Sequence, residues 1–176
     1  MNYNFRKAKL NEVPQIWEIL QQAILRRKND GSKQWQDGYP NEEIIKSDIQ
    51  KGIAYVLTGD DEIMGYAAVI FNDEPAYTDI KGAWLSNEEF VVIHRIAISD
   101  RQSGKGLAKL IMSSTEDIAL KNNIFSVKVD TNFDNPPMLK TFEKCGYTYC
   151  GEVCCAMDLE KLMRKDYRRV KIISYL

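Results

Sequence analysis

The segment that most constrains this chain is a strongly apolar stretch, Glu89–Ile98, followed by a short polar turn and two glycines flanking Lys105. An apolar stripe then begins: Leu107, Leu110, Ile111, Ile118 and Ala119 recur at helical spacing, predicting a helix from Gly106 to about Asn122. A strand without polar alternation belongs in the middle of a sheet, covered on both faces. The chain must therefore build a sheet around a strand, glycine loop and helix N-terminus. Such a turn exposes backbone N–H groups at the positive end of a helix dipole, which suits an anion and above all a pyrophosphate. Glycine lets phosphate oxygens approach the backbone, and Arg101 and Lys105 add positive charge. The loop is not a P-loop, because Leu107 follows Gly106 where that motif needs Lys and then Ser or Thr. A dinucleotide fingerprint would need a third glycine.

The flanking elements follow from periodicity and turn residues. Tyr3–Ala8 is a predicted strand. Asn11 is the expected cap of a helix with Pro14 in its first turn and Val13, Ile16, Trp17, Leu20, Ile24 and Leu25 on one side. A loop, Ser32–Pro40, carries Trp35 and Tyr39, which either pin it to the core or line a pocket. Asn41 caps a second helix, closed by Gly52. Ile53–Thr58 and Glu62–Phe71 read as a hairpin, with Gly65 marking a bulge or a close approach. Residues 72–88 read as a connecting loop. Phe125–Asp130 is a strand, Asn135 caps a helix ending before Gly146, and Tyr147–Met157 and Arg168–Tyr175 are the last strands. The expected fold class is α/β (α+β), a single domain over residues 1–176. A mixed central sheet of about six to seven strands is flanked by about four helices.

Composition narrows the function. A net charge of −1 argues against a nucleic-acid partner. The basic stretch Lys161–Lys171 reads as a solvated face or a charge-guarded strand edge. No apolar run approaches the roughly 18 residues of a membrane span, and no signal-peptide core opens the chain. The expectation is a cytoplasmic protein with no membrane partner. Four cysteines, Cys145, Cys150, Cys154 and Cys155, form no CxxC pair, and the one histidine, His94, lies far from them. They read as reduced thiols, and no metal site is expected.

Arg101-x-x-Gly104-x-Gly106 after Ile96-Ala97-Ile98 resembles the acyl-CoA-binding motif of the GNAT acetyltransferase superfamily. The Asn135-led helix ending Phe142-Glu143-Lys144-Cys145-Gly146-Tyr147 resembles that family's later motif, and the order of elements agrees over nearly the whole chain. The resemblance implies an N-acetyltransferase that uses acetyl-CoA as cosubstrate, without a metal. The backbone from Gln102 through Ser103, Gly104, Lys105 and Gly106 to Leu107 would hold the pyrophosphate, with Arg101 beside it. Ile96, Ala97 and Ile98 would pair with the pantetheine amides as an added strand. They would splay from Val127–Asp130 to leave a slot for the thioester. Asn135 would touch the cofactor or a nearby water.

The resemblance further implies direct attack of an amine on the thioester, with the Ile98 N–H on the carbonyl oxygen. His94 and Glu89 are the two candidates for the base, and His94 is equally readable as a structural side chain. Asp130 stands at a strand end, able to bind a cation or to cap a turn. Many relatives place a tyrosine acid at the position of Phe142, which has no proton to give. CoA thiols are weakly basic, so activity without that acid is expected. A non-catalytic acyl-CoA-binding regulatory module of the same fold is the alternative. The acceptor is a small-molecule amine or a peptide amine. Acids at Asp73, Glu74, Asp79, Glu88 and Glu89 point to a cationic acceptor or only to a solvated loop. A homodimer is compatible with the family, its last strand pairing across the interface.

Overall fold

A computed structural model of the protein describes residues 2–60, 62–153 and 168–174. In chain order the elements are β1 (Tyr3–Lys7), α1 (Val13–Asn29), α2 (Glu42–Gln50), β2 (Ala54–Gly59), β3 (Glu62–Phe71), β4 (Lys81–Gly82) and β5 (Val91–Ile98). They continue with α3 (Leu107–Lys121), β6 (Ser126–Asn132), α4 (Pro136–Lys144), β7 (Thr148–Val153) and β8 (Arg168–Ser174). The mixed α/β architecture agrees with the expected class. The chain gathers into two compact units, one of residues 1–69 and 93–115, the other of residues 70–92 and 116–176.

In the first unit the strand order is β1-β2-β3-β5, with β1 and β3 both antiparallel to β2. α1 and α2 cover this sheet because their apolar stripes require it: Ile16, Leu20 and Ile45 are fully buried with Val56 and Tyr66. Burying each such aliphatic side chain contributes about 1.5–3 kcal/mol. Asn41 caps α2 as expected, its side chain accepting the Ile44 N–H at 3.0 Å. α1 departs from expectation at its start. Asn11 lies inside a short 3-10 turn, Leu10–Glu12, and is not the cap. The Glu12 carboxylate accepts the Lys9 N–H at 2.7 Å and pairs with Arg6 at 2.6 Å, which fixes the chain before α1 begins. Gly65 fulfils both of its readings. The β2–β3 register slips between Leu57 and Thr58, and a Cβ at Gly65 would stand 2.8 Å from Ile98 Cδ1 and 3.1 Å from the Ala97 carbonyl.

In the second unit the order is β6-β8-β7-β4, every pair antiparallel. The last strand therefore lies between β6 and β7 of its own chain. Residues 72–88, read as a loop, contain a 3-10 turn at Pro75–Asp79 and the two-residue strand β4. β6 starts at Ser126, leaving Phe125 exposed, and runs on to Asn132. Cys145 is half-buried, and Cys150 is buried with its Sγ donating to the Thr148 carbonyl at 3.6 Å. Cys154, Cys155, the end of the strand expected to reach Met157, and the basic stretch from Lys161 to residue 167 lie outside the described residues. Among the described residues, no helix is long and apolar enough to cross a membrane.

Candidate functional site

The glycine loop leaves β5 under firm control. Arg26 of α1 donates to the Ile98 carbonyl at 2.9 Å and pairs with Asp100, and Gln22 accepts the Asp100 N–H at 2.8 Å. Ser99 N–H bonds to the Met64 carbonyl at 2.9 Å. A 3-10 turn at Asp100–Gln102 follows, its Gln102 buried and accepting from Lys105 Nζ at 2.9 Å. Arg101, Ser103, Gly104, Lys105 and Gly106 are exposed, and buried Leu107 anchors the first turn of α3. Gly104 and Gly106 have φ of +76° and +78°, values that favour glycine, and nothing stands within 4 Å of a Cβ built on either. The first helical bond runs from Leu110 N–H to the Gly106 carbonyl, so the earlier N–H groups of α3 have no acceptor within the helix. Open glycine backbone, a helix N-terminus and two flanking cations fit a pyrophosphate.

The strand before this loop carries a polar cluster. Arg95, inside β5, has a left-handed φ of +56°, which kinks the strand. Its guanidinium makes a two-point contact with Asp48 of α2, at 3.0 and 2.9 Å, and donates a third bond to the Tyr39 hydroxyl. The Tyr66 hydroxyl donates to the same carboxylate at 2.6 Å. Burial alone would lower the Arg95 pKa, but Tyr39, Asp48 and Tyr66 outweigh it and hold it above its ordinary value. Burial pushes the Tyr66 hydroxyl up, and Asp48 adds to the effect. Tyr39 therefore ties the α1–α2 loop to β5, and Trp35 packs on the core of this unit. Both aromatics pin the loop.

The second unit holds its own cluster. The Lys128 ammonium of β6 lies 3.8 Å from the Phe90 ring centroid and 4.2 Å from that of Trp84, although the residue is only 3% exposed. Tyr77 packs against both rings and donates to Asp130 at 2.9 Å, and Trp84 Nε1 donates to the Tyr77 carbonyl at 3.1 Å. Burial lowers the Lys128 pKa to about 8, with Cys150 opposing. Tyr77, Trp84, Phe90 and Lys128 line a cavity of about 550 Å³.

The sequence matches the acetyltransferase (GNAT) family over residues 15–147. The chain belongs to this family. A GNAT acetyltransferase from Streptococcus agalactiae 2603 is 32% identical, with a TM-score of 0.85 over 99% of this chain and 96% of that one. An uncharacterized N-acetyltransferase of Bacillus subtilis (strain 168), YesJ, is 26% identical over 70% of this chain and 69% of its own. Streptothricin acetyltransferase of Escherichia coli is 24% identical over 52% of this chain and 51% of its own length. The fold is shared with yncA of Salmonella typhimurium, solved with acetyl-CoA, at a TM-score of 0.69 and 15% identity. The protein is thus an acetyl-CoA-dependent N-acetyltransferase.

In this acetyltransferase Ile96, Ala97, Ile98 and the run Arg101–Leu107 all belong to the first unit. His94 is half-buried in β5. Glu89 lies outside the strand, which begins at Val91: it is exposed and accepts a bond from Asn72 at 3.4 Å. Asn135 is engaged at both ends of its amide, accepting the Met138 N–H at 3.4 Å and donating to Thr131 at 3.0 Å. Phe142 is 1% exposed and stacks on Tyr147 at 5.7 Å. The sequence reading missed Arg95, Asp48 and Lys128. Their signals were present: Arg95 interrupts an apolar strand, and Lys128 alternates with Val127 and Val129.

Proposed function

We propose that the acetyltransferase holds the pyrophosphate of acetyl-CoA on the backbone of Gln102–Leu107, beside Arg101, and lays the pantetheine along Ile96–Ile98. The observation that carries this is the open, left-handed glycine pair at the start of α3, on a loop that Arg26 and Gln22 hold in place. Acetyl-CoA supplies the activated acyl group. The Ile98 N–H donates to the thioester carbonyl oxygen, where negative charge develops. A small-molecule or peptide amine is the acceptor: its nitrogen forms the amide bond as the carbon–sulfur bond breaks. The proton lost by the amine passes to His94 or Glu89, and the CoA thiolate takes its proton from water, because Phe142 has none to give. Asn135 acts as the cap of α4.

The test is calorimetric titration with acetyl-CoA, joined to thiol-release assays over chemically diverse amines. Expected are acetyl-CoA binding at tens of micromolar or tighter and amine-dependent thiol release. No binding would remove the placement of the donor, and binding with no release by any amine would remove the catalytic roles. His94→Ala and Glu89→Gln, assayed for kcat against pH, decide between the two bases. The one whose loss abolishes the acidic limb is the base.

A further inference from the structure

The cavity of the second unit is lined by Glu74, Tyr77, Thr78, Trp84, Phe90 and Lys128, among others. Hydrogen bonds brace its walls. Tyr77 is held through Asp130, Trp84 through the Tyr77 carbonyl, and the Phe90 backbone by two bonds with Asn72, at 2.7 and 3.0 Å. Lys128 is 3% exposed and lines this space. Two ring faces attract its charge, yet an ammonium has three N–H donors and aromatic faces satisfy them poorly. Among the described residues, no oxygen accepts from Lys128 and no carboxylate pairs with it. Buried charges are ordinarily paired. Here the missing partner has room to come from outside, because about 550 Å³ is within the usual range for a small-molecule site.

We propose that this cavity takes the acceptor by its carboxylate, with Lys128 as the counter-charge and a flat apolar group of the acceptor against Trp84 and Phe90. Calling the ligand an acceptor rests on the acetyltransferase reading above. The amine to be acetylated then belongs to an amphoteric molecule, an aromatic amino carboxylate. The opposite view is a cage built for a cation, which Lys128 merely fills.

Three probes that share a ring separate the two. L-phenylalanine carries both charges, 3-phenylpropionate only the carboxylate, and phenethylamine only the amine. Affinities are measured by ligand-observed NMR on the full chain, with acetyl-CoA titrated separately into every variant. The expected order is phenylalanine and phenylpropionate at least about 10-fold tighter than phenethylamine, the scale of one lost charge-assisted bond. Lys128→Met should weaken both carboxylates by about 10- to 100-fold and leave acetyl-CoA affinity unchanged. Lys128→Arg, which keeps the charge, should retain most of the carboxylate affinity, and it serves if the methionine variant fails to fold. Phenethylamine binding best, or binding better after Lys128→Met, overturns the proposal in favour of a cation cage. So does silence from all three probes in a protein that binds acetyl-CoA. Loss of acetyl-CoA binding in the parent protein would instead count against the acetyltransferase placement.

Discussion

Replacing Gly104 or Gly106 by asparagine separates strain from occupancy at the phosphate loop. Both glycines are left-handed, and nothing lies within 4 Å of an added Cβ. A valine there would meet no neighbour but would pay about 1–2 kcal/mol for its backbone conformation. Asparagine tolerates that conformation, so its own cost should stay below about 1 kcal/mol, or less than about 4 °C in Tm for a chain of this length. Its side chain nevertheless fills the space that a phosphate oxygen needs. Losing one charge-assisted bond from the loop is worth about 1.5–3 kcal/mol, which is about 10- to 150-fold in affinity. Each asparagine variant should therefore melt close to the parent and bind acetyl-CoA at least about 10-fold more weakly. Calorimetry and thermal melts on the same samples read both quantities. If both variants bind within about threefold of the parent, the pyrophosphate is not on this loop.

Three further outcomes are expected. Asp48→Asn leaves the buried Arg95 guanidinium without its charge partner and should cost about 3–5 kcal/mol, measured by urea unfolding; a loss under about 1 kcal/mol would contradict the ion-pair assignment. Lys128 titrates near 8 in the fold against 10.5 when unfolded. Below pH 8 the folded state carries the full cost of the buried charge. Between pH 8 and 10.5 the folded form has lost its proton while the unfolded chain keeps it, so stability recovers by at most about 1.4 kcal/mol per pH unit. The advantage of Lys128→Met over the parent should shrink across that window, and a pH-independent difference would refute the shift. Phe142→Tyr puts a hydroxyl into a site that is 1% exposed, and it should lower stability by about 1–3 kcal/mol; an unchanged melting curve would show that the hydroxyl finds a partner.

Much of the fold was legible because local chemistry decides it. Asn41 and Asn135 cap the helices that their sequence positions announce, and Gly52 and Gly146 turn left-handed just past helix ends. Gly104 and Gly106 were readable as a turn for the same reason, and both are left-handed just before α3. Asn11 misled because Glu12 reaches back to Lys9 and Arg6, a contact that depends on where β1 runs. The Asp48–Arg95 pair joins residues far apart in sequence, and a lone acid on an amphipathic helix is normally solvated. Lys128 was missed for a similar reason. Strand alternation places it on one face, but Trp84 and Phe90, which make that face aromatic, come from a segment whose irregular turns carry little periodicity.

The left-handed Arg95 also sets a phase. Along an undisturbed strand, faces alternate with a period of two. In β5 the run Val91–Ile93 is wholly buried, and beyond the kink Ala97 is buried while Ile96 and Ile98 are half-exposed. The facing of the backbone proposed to meet pantetheine is thus counted from Arg95, and Arg95 is held by an acid on α2 and a phenol on the loop before it. Donor alignment and that loop are inherited as one unit. Transplanting residues 30–50 from another member should succeed only when the graft brings its own partner for residue 95. A graft without one would lose the register of the strand along with the ion pair.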